Sequence, residues 1–315
     1  GLALVLMETI SDFGTVDYFA IETLTLGVFN VWLGMNSLSG ASQISSILFM
    51  IVIVLLTLEY LGRRSRKFHE KYSGASYTPT QTVSGVKNSL LFLICLIPLS
   101  LGFIIPVSIL LNFVIKGYSI INFIEIFQIT LSSISLAFIS SSFIMLLSLL
   151  MIIVGAYKSN NFQKILIFFA SSGYAFPGTI LAVGIVVFVG WLNDLIYFRM
   201  SYAVGGFIIL LFAYSIRFLA VGNGAITSGI SRIHPNLLDA SRTMGVSFFK
   251  SIRKIILPLL YTNLLVGGIL VFVDILKELP ITLLLRPFNF ETLATYVYQY
   301  ASDEMLEESA FAALI

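Results

Sequence analysis

Four carboxylates stand where long apolar runs give way to polar residues: Glu8 and Asp12 near the start of the chain, Asp274 and Glu278 near its end. Burying a charge in hydrocarbon is costly, so ionisable residues beside such runs are candidates for function. Carboxylate oxygens are hard ligands, so an acid-lined mouth fits the passage of a metal cation. It fits a cationic organic substrate equally well. The plain alternative is that these acids are helix ends in the interface, or pair locally as Asp274 could with Lys277 or Glu278. Arg217 and Lys277 complete the ionisable set near the apolar runs. Other chemistries find no support. The phosphate-binding Gly-x-x-x-x-Gly-Lys-Ser/Thr sequence is absent, so ATP hydrolysis by that route is excluded. One cysteine and two histidines make no zinc site, and no Gly-x-Ser-x-Gly nucleophile elbow occurs. The expectation is a chain with no catalytic residue, no metal site of its own and no cofactor. Cys95, alone in an apolar run, is expected to pack.

These residues must be positioned by membrane-spanning helices. Hydrophobic residues make up 58% of the chain and charged residues 11%, against about 25% charged in a soluble domain. Mean hydropathy is +0.98. The net charge of +2 gives no reason to expect nucleic acid as a partner; membrane lipid is the expected surroundings. Spans are predicted at 42–60, 88–115, 126–157, 165–193, 202–221 and 257–273, with a further helix starting at 305. Pro98 and Pro106 predict a kink in the second. Residues 171–178 (SSGYAFPG) predict an irregular, close-packed spot in the fourth, and Arg217 is placed near the end of the fifth. Trp32 is read as an interface anchor. Residues 61–87 are basic, then rich in Ser, Thr, Gly and Pro, and read as a solvated linker with a positive-inside anchor; His69 lies within it.

If that linker is cytoplasmic, alternating turns put 158–164 and 217–256 on the same side. The cytoplasmic segments then hold fourteen Lys and Arg, Arg217 among them, and the outer segments four, as the positive-inside rule requires. The stretch 236–260 (NLLDASRTMGVSFFKSIRKIILPLL) is thus cytoplasmic. Pro235, after His234, suits a first helical turn, and Asp239 favours a helix N-terminus. Gly245 permits a left-handed turn, and Ser247 can cap a second helix. On that helix Phe248, Phe249, Ile252, Ile255, Ile256 and Leu259 are expected to share a face. The chain would return into the membrane near Pro258. Such a helical elbow can present a knob to a soluble partner.

The two ends of the chain also resemble each other. GLALVLMETISDFGTV at 1–16 aligns with GGILVFVDILKELPIT at 267–282, so Glu8 matches Asp274 and Asp12 matches Glu278. After a three-residue offset, Glu22-Thr23-Leu24 matches Glu291-Thr292-Leu293, and Ala41 matches Ala310. The chain reads as a window cut from two tandem, parallel halves. Residues 1–60 would end the first half, 61–87 link, and 88–315 form the second half, truncated in its last helix.

The elbow resembles the cytoplasmic Glu-Ala-Ala loop of bacterial ATP-binding-cassette (ABC) importer permeases: Glu-Ala-Ala, three residues, Gly, nine residues, Ile-x-Leu-Pro. Asp239-Ala240-Ser241 stands for the first triplet, with conservative departures at Asp239 and Ser241. Gly245, Ile255, Leu257 and Pro258 fall at the required spacing. The segments 274–298, 172–184 and 7–19 are similar to the fused two-half permease of ferric-iron ABC importers, and the likeness covers nearly the whole chain. That resemblance implies an all-α polytopic transmembrane bundle with a cytoplasmic coupling-helix loop, in the bacterial inner membrane. It implies two copies of a separate ATP-binding subunit, which bind ATP and Mg and receive the elbow, and a periplasmic substrate-binding protein that delivers cargo. Related fused permeases carry thiamine, polyamines or phosphonates and share the loop. A secondary transporter, the reading from another class, has no need of such an elbow.

Overall fold

The computed structural model describes residues 2–64, 85–117, 122–157, 161–196, 202–233 and 236–315. His69, His234, Pro235 and most of the linker lie outside these. The chain runs through α1 (Leu2–Ser11), α2 (Gly14–Tyr18), α3 (Leu24–Phe29), α4 (Leu38–Arg64), α5 (Val86–Leu99), α6 (Ile105–Lys116), α7 (Phe123–Tyr157) and α8 (Asn161–Ala170). It continues through α9 (Gly178–Ile196), α10 (Tyr202–Ile230), α11 (Asn236–Thr243), α12 (Phe248–Ser251), α13 (Leu257–Leu276), α14 (Pro280–Leu285), α15 (Leu293–Ser302) and α16 (Leu306–Leu314). No strand occurs among the described residues.

Five helical stretches are long and apolar enough to cross a membrane, and a sixth if α8 and α9 count as one broken span. The α8–α9 bend is 119° and falls at the Ser-Gly-Tyr-Ala-Phe-Pro sequence, where the backbone makes a 3-10 turn over Gly173–Ala175. Between Pro98 and Pro106 the α5–α6 span carries a π-helical turn, Ser100–Ile104, because each proline removes a backbone donor. No residue of this span is buried except Gly117 at its end. Cys95 is accordingly exposed, not packed as expected. Trp32 is half-buried and packs beside Val28, Ala41 and Val183.

The core lies between α7, α10 and α13. Small residues let these backbones approach, which replaces the missing hydrophobic drive between helices in lipid. A methyl added to Gly267 would meet Ala225 and Met145, and one added to Gly229 would meet Leu260. The chain from α13 through α14 runs antiparallel along the full length of α10. Asn263 Nδ2 donates to the Ala225 carbonyl at 3.3 Å, Tyr214 bonds Thr282 at 2.6 Å, and Gly206 abuts Pro287. α10 runs on to Ile230, well beyond the expected end at 221. Arg217 therefore sits midway along the apolar stretch Gly205–Ile230 and drops out of the cytoplasmic count of positive residues, which stays one-sided without it.

The aligned ends of the chain share more than composition. α2 and α14 begin at aligned residues, as do α3 and α15. Thr23 and Thr292 both cap the following helix, accepting from Leu26 N at 3.2 Å and Thr295 N at 3.4 Å. Left-handed residues recur at or near matching places: Ala20 and Asn289 at aligned positions, then Asn36 and Glu304, one residue out of register. Ala41 and Ala310 are both fully buried.

Candidate functional site

Three chain breaks meet at the level of Arg217. The α13–α14 break brings Glu278, whose Oε1 lies 3.3 Å from Arg217 Nη1. Both side chains are more than nine-tenths buried. The same carboxylate oxygen accepts the Ile281 backbone N–H at 3.3 Å. The α8–α9 break brings Gly178, where an added methyl would collide with both Arg217 and Glu278. It also brings Ser171, which accepts from Asn223 Nδ2 at 3.1 Å. The α1–α2 break brings Asp12, whose Oδ1 accepts the Thr15 backbone N–H at 3.4 Å. Backbone groups freed at a break between apolar helices must be satisfied by protein or face a cavity.

Such a cavity is present. It holds about 550 Å³ and is lined by Glu8, Asp12, Arg217, Lys277 and Glu278, together with Phe13, Leu279 and Pro280. Three of the four acids singled out in the sequence, two from one repeat and one from the other, thus border one space. Asp274 stands just outside it and bonds Lys277 at 3.0 Å. Of the two pairings open to Asp274, the structure takes Lys277; Glu278 goes instead to Arg217, a partner that the misplaced helix end had hidden. Glu8 also borders a second, mostly apolar space of about 810 Å³ beside Tyr174, Phe176 and Val221. The acids are spread too widely to chelate: among the described residues no three Asp, Glu, His or Cys are grouped to hold a metal ion.

At the cavity's edge, through Phe13, the two aligned stretches touch. Phe13 is buried between Phe29 and Tyr298, with ring centroids at 4.8 and 5.4 Å. Tyr298 Oη donates to Asp17 Oδ2 at 2.6 Å. Burial, and then the Asp17 carboxylate, push the phenol above its ordinary range, so it remains a donor.

The elbow forms at 236–251. α11 ends at Thr243, and Gly245 takes φ +72°. Met244 N donates to Ala240 O and Val246 N to Ser241 O, both at 3.1 Å, which satisfies the helix end. The Ser241 and Ser251 hydroxyls bond each other and are both buried, closing α11 onto α12. Asp239 lies in α11, and Ala240 and Gly245 are exposed. Ile255 and Leu257 are half-buried and Pro258 is exposed. Ser247 occupies the cap position but its side chain caps nothing. The expected shared face splits: Ile256 is buried, while Phe249 and Leu259 are exposed. A π-helical turn at Ile252–Ile256 rotates the register between them. The backbone runs on helically from Phe248 through Pro258 to Leu276, with the π-helical turn at Ile252–Ile256 just before the proline accommodating its missing donor.

Long apolar helices, one broken span and a charged cavity beside the middle of α10 mark a multi-spanning membrane protein. The chain belongs to the family described as the binding-protein-dependent transport system inner membrane component, whose pattern matches residues 149–315. It is an all-α, multi-pass protein of the inner membrane and a transport component. It is also similar to the Fe(3+)-transport system permease protein FbpB 2 of Haemophilus influenzae, 24% identical over 310 residues and 96% of this chain. The chain spans 59% of the length of that relative.

Proposed function

We propose that this chain is the larger part of a fused two-half ABC-importer permease that carries ferric iron from a periplasmic binding protein into the cytoplasm. The observation that carries this reading is the shared cavity: Asp12 and its counterpart Glu278, together with Glu8, border one space where three breaks between helices meet. Broken helices around a mid-membrane site are a recurring transporter design. The ferric relative supports the choice of cargo, and separated carboxylates suit a hard cation in transit. Residues 1–60 then close the first half, 61–87 link, and 88–315 form most of the second; the recurring caps and left-handed residues support that division. The elbow residues Asp239, Ala240, Ser241, Gly245, Ile255, Leu257 and Pro258 dock one of two ATP-binding subunits. Those subunits bind ATP and Mg, and this chain needs no cofactor. ATP-driven closure of the subunits draws the elbows together and turns the spans between inward-open and outward-open states of similar energy.

The test is uptake by proteoliposomes holding the full-length permease, its ATP-binding subunit and its binding protein. Ferric iron should accumulate only with internal ATP; accumulation of thiamine, a polyamine or a phosphonate instead would overturn the cargo. Uptake without the ATP-binding subunit would make this a secondary transporter. In the same assay Glu8→Gln and Asp12→Asn should each lower the uptake rate about tenfold, near 1.4 kcal/mol of barrier, at normal membrane levels. Unchanged kinetics would leave both acids as ordinary helix ends.

A further inference from the structure

We propose that the Arg217–Glu278 pair is a mechanical lock that makes α10 carry the broken spans with it, so that movement of the elbow becomes movement of the cavity wall. The proposal rests on the importer reading and assigns Arg217 as a positioning residue in it.

α10 ends at Ile230, and the elbow helix α11 begins at Asn236. The elbow is joined to the membrane helices on both sides: at α10, and at α13, into which the backbone runs helically from Phe248, so motion that reaches the end of α13 must still cross its break to α14. The cavity wall, however, is made by segments whose helices are interrupted. An interrupted helix does not transmit force along its axis; motion must pass sideways, through contacts with an unbroken neighbour. α10 is that neighbour. It touches the α8–α9 break at Gly173 and Ser171, and the α13–α14 break at Glu278. Glu278 Oε1 receives both Arg217 Nη1, from α10, and the Ile281 N–H, from the far side of its own break. One carboxylate thus ties α10, the end of α13 and the start of α14 together. A buried pair of this kind resists separation, because parting it leaves an uncompensated charge away from water. Gly178 leaves the space the pair occupies. Packed segments tied in this way shift as bodies between discrete arrangements.

A cargo-contact role for Glu278 predicts something different from a lock. Loss of a contact changes the concentration of loaded binding protein needed for half-maximal uptake. Loss of the lock changes the amount of cargo moved per ATP. The experiment measures both in proteoliposomes containing the full-length permease, its ATP-binding subunit and the ferric-loaded binding protein. For Arg217→Gln, ATP hydrolysis should continue while cargo per ATP falls at least fivefold; Arg217→Lys, which keeps the charge, should recover at least half of the ratio. An unchanged ratio in Arg217→Gln, or a change confined to half-saturation, overturns the lock. If the wild type itself shows no ATP-dependent uptake, the importer reading fails instead. A second measurement does not depend on Arg217→Gln folding. A β-carbon on Gly206 would stand 3.2 Å from that of Pro287, so a shift of a few tenths of an ångström opens the pair to the roughly 3.5–4.5 Å of a disulfide between α10 and the segment just after α14. In a Cys95→Ser background without other free cysteines, oxidised Gly206→Cys/Pro287→Cys should retain uptake, because the two segments move as one. A block on oxidation that reductant reverses would show that they part during the cycle and would overturn the proposal.

Discussion

Gly245→Val is expected to cut ATP-driven uptake at least tenfold while the permease reaches the membrane at its normal level. Gly245 has φ +72° and nothing within 4 Å of where a β-carbon would lie. The substitution therefore causes no collision, and its whole effect is conformational. A β-branched residue disfavours the left-handed region by about 1–2 kcal/mol or more. The chain can relieve that strain only by giving up the turn, and with it the Val246-to-Ser241 hydrogen bond and the angle between α11 and α12. Asparagine tolerates the same region, so Gly245→Asn should retain most uptake. Measured side by side with matched protein levels, equal activity of the valine and asparagine variants would remove the turn from the mechanism. Far-reaching loss of protein in both would place Gly245 in folding instead of coupling.

Gly173→Ala should have the largest effect on stability. A methyl on Gly173 would overlap the Ile216 carbonyl and crowd its side chain. The obstacle is backbone of an unbroken helix and cannot turn aside like a side chain. Overpacking of this sort costs about 1–3 kcal/mol, sometimes more. Because Ile216 precedes Arg217, the shift also disturbs the ion pair. Detergent-solubilised Gly173→Ala should melt several degrees below the parent protein and show reduced uptake. Gly184→Ala, in α9 with open space around it, should do neither. A Gly173→Ala protein with parental melting behaviour would mean that the α8–α9 turn is not held against α10.

Particular residues show how much was legible beforehand. The elbow was readable because its signal is local: a glycine where φ must be positive. The Ser241–Ser251 hydroxyl pair was not, since two serines ten residues apart bond only once the turn between them is set. The repeat was readable from Glu8/Asp274, Asp12/Glu278 and the shared Glu-Thr-Leu, because both copies need the same caps and turns. Arg217 was misplaced for an understandable reason. Hydropathy marks an end wherever a charge follows an apolar run, and Arg217 is such a charge. Its partner Glu278 stands 61 positions away, so nothing local told a buried, neutralised arginine from one at the interface.

Composition and pattern alone determined that this chain spans a membrane, which loops carry positive charge, where the elbow lies and that two stretches are related. Those properties follow from the solvent each residue prefers and from backbone preferences within a turn or two. Only the tertiary structure decided which acids share a space and which are already neutralised. Glu8, Asp12 and Glu278 meet around one cavity, Asp274 is held by Lys277, and Glu278 belongs to Arg217. Such pairings depend on how three broken helices converge on α10, and the energy of a buried charge is set by what lies across the gap, not by what lies beside it in the chain.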